Sequence, residues 1–404
     1  MKQKNRLGAL ALAIVLCAAP LIGCGAAQSD AAGAASSSGS DKTEENAAAA
    51  AEPVRINLWS YGSDNVRIAW EAILEGFHAK NADIEAELQF LPSGTGGQTL
   101  PEKFIAAVKS GKENIEFDVI EMSDNDLVQI TGEVGYEALR PLSEKDIPAM
   151  AAIPEQSQLS QGRATVFRGN TVLLAYNSET VAQPPRTYDE LIQWIKDHPG
   201  RFAYNDPLTG GAGLAFLITS IYNPLPEEAL NSSDEKWKAE WEQGMDLLKE
   251  IHPYLYKASG HVQYPAKNQG TLDLLAAGSI DIAPAWADMA LDQLARGQLP
   301  KNIKIAQITP PLTGGMISLG IPAASDDSKF EAACRLIDYI DSPEGQEILV
   351  KSQKIIPIID SASLSAEANE LLNGFKSDTY RVYSIGKLNT ELQERWQREI
   401  AILN

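Results

Sequence analysis

The chain has 404 residues, 44% hydrophobic and 22% charged, a balance that fits ordinary globular proteins and a length that allows two cores. Lysine and arginine total 34 against 54 aspartates and glutamates, a formal charge of -20, and an excess of that sign repels phosphate backbones and excludes nucleic acid as the expected partner. Three cysteines and four histidines are too few and too scattered for a disulfide framework or a closed zinc cluster, so no metal or cofactor is expected.

Lys2, Lys4 and Arg6 precede an apolar run from Leu7 to Leu21, which is short for a permanent span and suited to a secretory signal. The run ends in Leu21-Ile22-Gly23-Cys24, which resembles the bacterial lipobox. That resemblance implies residues 1–23 as a cleaved signal peptide and Cys24 as the acylated first residue of the mature chain, carrying diacylglycerol and palmitate. Residues 24–53 are Ala, Ser and Gly with scattered charges; they hold no apolar core and read as a disordered tether with a reach of roughly 30 Å. Acyl chains contribute about 0.8 kcal/mol per buried methylene, so a multiply acylated terminus anchors durably. The expected location is extracytoplasmic, tethered to the cell membrane.

Beyond the tether, Ile56 to Trp59 reads as a strand, and Ser63 or Asp64 caps a helix with Val66, Ala69, Trp70, Ile73, Leu74 and Phe77 at helical spacing. Helix, strand and helix signals recur over Phe104 to Val108, Phe117 to Glu121 and Asp124 to Ile130. Val172 to Tyr176 is an apolar strand, and Thr187-Tyr188-Asp189-Glu190 is a capping box. Phe202 to Tyr204 makes a strand before the glycine-dense turn from Asn205 to Gly213. Ile280 to Ala283 is a strand ending at Pro284-Ala285-Trp286. Ser328-Lys329-Phe330-Glu331 and Ser342-Pro343-Glu344 open two helices. Leu388, Leu392, Trp396, Ile400 and Leu403 share one side of a docking helix, with Trp396 in the core. Cys334, on an apolar helical stripe, is expected to be buried and inert. Strands alternating with helices predict α/β domains with largely parallel sheets.

The order of Ile56-Asn57-Leu58-Trp59, Phe117-Asp118-Val119-Ile120, Leu173 to Asn177 with Pro184 to Leu191, Gly278 to Trp286, and Ser342 to Gln346 resembles the extracellular solute-binding proteins of ABC importers, the type-II periplasmic-binding-protein group. The resemblance implies an α/β fold of two lobes, each a mostly parallel sheet flanked by helices, joined by crossover strands. It implies lobe 1 at 54–168 and 285–354 and lobe 2 at 169–284 and 355–404, with crossings near Phe167 to Asn170 and near Ala283 to Trp286. It also implies a monomer whose partners are a small solute, a permease and its ATPase, with the solute held between the lobes at the carboxyl ends of strands.

On that placement the candidate ligand contacts in lobe 1 are Trp59, Ser60 and Tyr61, for stacking and a hydrogen bond, and Ser123, Asp124 and Asn125, which equally suit a helix cap. In lobe 2 they are Tyr204, Asn205 and Asp206, and Gly210, Gly211 and Gly213, where amides at a helix start can meet an anionic group. Trp286 can cover a ligand face and Asp288 can accept from hydroxyls or pair with an amine. Arg168, beside the first crossing, can clamp an anion, and reads first as a partner in a surface salt bridge.

Gly-x-Ser-x-Gly, His-Glu-x-x-His and a P-loop are absent, so no catalytic residue is assigned and an enzyme is not expected. A secreted hydrolase and a structural surface lipoprotein remain the rivals of another class. The aromatics favour a polar organic solute, carbohydrate first; the glycine turn keeps phosphonate, iron, polyamine or thiamine types as the alternative.

Overall fold

The computed structural model describes residues 52–95, 97–154, 156–372 and 381–403; the signal, Cys24 and nearly all of the tether lie outside them. The strand β1 (Val54–Gly62) buries Ile56, Leu58 and Ser60 on one face. The helix α1 (Asp64–Lys80) follows, burying Val66, Ala69, Trp70, Ile73, Leu74 and Phe77, the stripe that its spacing predicts. Next come β2 (Ile84–Pro92), α2 (Leu100–Lys109), β3 (Val119–Ser123) and α3 (Asp124–Val134). The capping box of α2 uses Thr99 and Glu102, and that of α3 uses Ser123 and Asp126.

The strand β4 (Ala164–Asn177) is followed by the helices α4 (Tyr188–Asp197), α5 (Gly211–Tyr222) and α6 (Glu242–Ile251). A small hairpin of β5 (Lys257–Ala258) and β6 (His261–Val262) leads to α7 (Lys267–Ala276), β7 (Ile282–Trp286) and α8 (Ala287–Ala295). Then come β8 (Ile303–Ala306), β9 (Gly314–Gly320), α9 (Asp327–Asp341), α10 (Pro343–Gln353), α11 (Ala366–Leu371) and α12 (Leu388–Glu399). The cap of α9 is Asp326, which accepts from the Lys329 amide, so this helix starts ahead of the Ser328 box. Among the described residues no helix is long and apolar enough to cross a membrane.

The strands run in the order β2, β1, β3, β9, β4 and β7, with β8 also on β4. Pairing is parallel among β2, β1 and β3 and antiparallel wherever β9 or β4 takes part. The strand β4 changes neighbours midway: Ala164 to Thr171 pair with β9, whereas Val172 to Asn177 pair with β7 and β8. This switch joins two lobes. One core holds Ile56, Trp70, Phe77, Phe167, Leu319 and Ile337, with a smaller core of Phe104, Phe117 and Ile130 beside it. The other holds Val172, Phe202, Phe216, Trp241 and Trp396, extended by Leu272, Ala283 and Leu299.

The expected first crossing, Phe167 to Asn170, falls within β4, which leaves β9 after Thr171 and joins β7 at Val172. The expected second crossing, Ala283 to Trp286, does not carry the chain back to the first sheet. The strand β7 stays beside the second half of β4, and the chain rejoins the first sheet only at β9, so 285–312 packs mainly with the second core through Met289, Leu299, Ile303, Ile308 and Leu312. Pro284-Ala285-Trp286 ends a strand and does not cross. Ile355, Ile358, Ile359, Leu364 and Ala368 lie in the first core, and only Ile385, Leu388, Leu392, Trp396 and Ile400 lie in the second. Cys334 is buried, and burial pushes its thiol up to about 12.

Candidate functional site

A cavity of about 630 Å³ lies between the lobes, reached by the carboxyl ends of β1, β3 and β7 and by the loop ahead of α5. Strand ends and helix starts converge there because each strand feeds its loop into the gap before the next helix. Tyr61, Ser123, Asp124, Asn125, Gly210, Gly211, Trp286 and Asp288 all line it.

On the first wall the Tyr61 hydroxyl donates to Asp126 Oδ2 at 2.6 Å, and that oxygen also accepts from the Ser123 amide at 2.9 Å. Ser123 is therefore both the cap of α3 and a lining residue. Asp124 accepts from the Ser157 hydroxyl at 2.6 Å. Burial raises the carboxyls of Asp124 and Asp126 above the usual carboxylate range, and it raises the Tyr61 phenol far above its own.

Arg168, also in the lining, is 5% exposed. The sequence reading makes it a surface salt-bridge partner; instead it pairs with Glu121, itself 1% exposed and also bound by the Ser60 hydroxyl and by Trp70 Nε1 at 3.1 Å. Arg168 is enclosed because β4 is buried along nearly its whole length, and its register shifts between Val166 and Arg168.

On the opposite wall the glycine turn folds onto asparagines. Asn205 Oδ1 accepts from the Gly213 amide at 2.8 Å and Asn268 Oδ1 accepts from the Ala212 amide at 3.0 Å. Two of the first amides of α5 are thus bonded within the protein, which removes them as ready anion donors. Glycine is required there: a Cβ at Gly213 would lie 1.8 Å from Asn205 O, and one at Gly210 would lie 2.5 Å from Asn205 Nδ2.

Three contacts bridge the lobes. Asn65 Nδ2 donates to Asp288 Oδ2 at 3.0 Å, an oxygen that also accepts from Gln353 Nε2 at 3.0 Å. Asn125 Oδ1 accepts from the amides of Ile385 at 3.2 Å and Gly386 at 3.1 Å. Gly94, at φ +70°, lies so close to the glycine turn that a Cβ would approach Thr209 O to 2.5 Å. The two walls therefore touch one another at more than one point around the cavity.

Six other candidates fall behind the walls. Trp59 stacks on Phe117 at 4.5 Å between centroids and donates to Glu116 O at 2.7 Å. Ser60 is buried against Glu121. Tyr204 is in the second core, accepting from Trp396 Nε1 at 3.0 Å. Asn205 and Gly213 hold the turn from within, and Asp206 accepts from the Leu208 amide at 2.8 Å. Asn65, Gly94, Lys103, Asn268, Tyr383 and Asn389 line the cavity without having been singled out in the sequence. Lys103, Asn268, Tyr383 and Asn389 lie on or beside helices away from the strand ends, whereas Asn65 and Gly94 closely follow β1 and β2, the latter in a glycine-rich run.

The sequence model of a family described as bacterial extracellular solute-binding protein matches residues 72–373. The chain belongs to the bacterial extracellular solute-binding protein family. Solved structures agree on the two-lobed fold of this family. A solute-binding protein from Bordetella parapertussis is 15% identical, with 86% of this chain and 98% of that chain covered at a TM-score of 0.64. A protein described as a spermidine/putrescine ABC transporter from Listeria monocytogenes is 15% identical, with 86% and 99% covered at 0.63. The maltose-bound MalE3 of T. maritima is 16% identical, with 85% and 93% covered at 0.63. A curated relative, Protein YnjB of Escherichia coli, is 26% identical over 199 residues, 46% of this chain. That match spans 48%, about half, of the length of YnjB.

Proposed function

We propose that this solute-binding protein is the capture component of an ABC importer, tethered outside the cell membrane through acylated Cys24 and handing a small polar organic solute to a permease driven by its ATPase. The observation that carries the reading is the cavity of about 630 Å³ lined by both lobes and bridged by the Asn65–Asp288, Asn125–Gly386 and Gly94–Thr209 contacts. A site shared by two lobes couples occupancy to closure, since a solute touching both walls favours the closed state by its differential affinity.

Tyr61 and Asp124 on one wall and Gly211, Trp286 and Asp288 on the other are the proposed contacts. The lobe division that supports the reading runs 54–171 with 314–372, and 172–312 with 381–403. Indole and phenol faces suit a sugar ring as well as another compact organic body.

Native mass spectrometry of protein purified without denaturation tests the reading, with a retained small molecule expected. A solute at a hundredfold excess over its Kd adds about 2.7 kcal/mol to stability. Turnover of ester or glycoside substrates in place of binding would overturn it.

A further inference from the structure

The polar groups around the cavity differ in whether the protein already satisfies them. Several donors are engaged within the protein: the Ala212 and Gly213 amides by Asn268 and Asn205, the Asn65 and Gln353 side-chain amides by Asp288, and Arg168 Nη2 by Glu121, while Arg168 Nε has no hydrogen-bond partner. The carboxylates are met by neutral donors alone: Asp124, Asp126 and Asp288 line the cavity and accept from hydroxyls and amides, and no lysine or arginine among the described residues forms an ion pair with any of them. Asn389 Oδ1, on the first turn of α12, is buried in the lining without a hydrogen-bond partner.

Lys103 is the lining cation that lacks a carboxylate partner among the described residues. With Arg168 cancelled by Glu121, the lining carries three carboxylates against one ammonium. Around them lie the faces of Tyr61, Tyr383 and Trp286 and apolar groups such as Met289 and Met316. Carboxylates without a counter-charge, the unpartnered Asn389 Oδ1 and aromatic faces together match a positively charged organic group, which gains from carboxylate pairing and from cation–π contact in a partly desolvated site. A bare metal ion does not fit, because no three His, Cys, Asp or Glu side chains converge to hold one among the described residues.

We propose that the solute is an organic cation, an amine or quaternary ammonium, whose charge is met by Asp124 and the acceptor face formed with Asp126 and Asn389, and whose body packs against Trp286. This rests on the solute-binding reading and adds the charge of the cargo. A bound cation supplies the counter-charge that the desolvated Asp124 and Asp126 lack in the protein alone. Neutral sugars would leave those carboxylates unpaired, and phosphonates would meet them with like charge.

The test uses the mature full-length protein and a calorimetric and thermal-shift panel of spermidine, choline and thiamine, with maltose and methylphosphonate as the neutral and anionic arms. At least one cation is expected to bind, with affinity falling as salt rises. Asp124→Asn is expected to weaken that binding about tenfold and Asp124→Glu to retain it, while both melt like the parent without ligand. Binding of maltose or methylphosphonate with no cation bound would overturn the proposed charge and leave the solute-binding reading standing. Absence of binding by every probe, with no molecule retained in native mass spectrometry, would overturn both. A cation affinity unchanged in Asp124→Asn would overturn the assigned contact.

Discussion

Gly211 lies beneath the indole of Trp286, so close that a Cβ on the glycine would come within 2.9 Å of Trp286 Nε1. The start of α5 and the end of β7 therefore set one another, and the aromatic wall depends on a residue without a side chain. Gly211→Ala is expected to tilt the indole and weaken solute binding by about tenfold, roughly 1.4 kcal/mol, while Trp286→Ala weakens it further. Unliganded melting temperatures should stay near the parent value, since Trp286 is only partly buried. Unchanged affinity in both variants by calorimetry removes the indole from the site.

Closure is tested at Gly94. Its φ of +70° and its approach to Thr209 O leave no room for a Cβ, so Gly94→Val combines backbone strain with a wedge between the lobes. The expected result is a larger radius of gyration by solution scattering and a faster solute off-rate. A variant as compact as the parent with solute present would show that the loop yields instead.

Glu121 and Arg168 form a buried pair, with 1% and 7% of their side-chain surfaces exposed. Glu121→Gln leaves the guanidinium without its counter-charge and is expected to cost about 3–5 kcal/mol by denaturant unfolding. Adding Arg168→Met should recover most of that loss, because the isolated charge is gone. Equal stability of the single and double variants would contradict this account.

Asp341 is fully buried, with Oδ1 lacking a hydrogen-bond partner and Oδ2 at 3.4 Å from the Thr165 hydroxyl. Burial holds its folded pKa well above the ordinary value, and Asp338 adds to the rise. A native state that keeps the proton gains stability that is fully present below the unfolded pKa of about 3.9 and is lost as pH rises through the folded value. Asp341→Asn is expected to flatten this decline between pH 4 and pH 8, measured as unfolding free energy against pH. Parallel curves for parent and variant would assign the slope to other groups.

Much of the fold is legible in local pattern. The apolar spacing of α1, the Thr187 cap of α4 and the stripe of α12 each follow from residues within a few turns of one another. The sheet switch is less so: the second crossing lies near Gly314, where β9 opens on two glycines that carry no strand pattern. Within the site, strand ends locate Tyr61, Asp124 and Trp286, because a loop after a strand has one place to go. They do not locate Asn65 against Asp288, 223 positions away, or Asn125 against Gly386, 261 positions away. Such pairs are set by how the lobes meet, and no periodicity encodes them. The glycine turn is visible as a turn, but its Ala212 amide is bonded by Asn268, which lies on α7.

Because β4 belongs to both sheets, with Gly169 clasped by Ile356 through paired backbone hydrogen bonds of 2.8 and 3.0 Å, neither lobe owns all of its own hydrogen-bonded edge. Heat that frays one side strips pairing from the other, so calorimetry should record a single shared melting event. Swinging likewise becomes a torsion of this ribbon, pinned at its midpoint, and the amplitude of the jaws is governed by a handful of peptide units that border the cavity through Arg168 and Asn170.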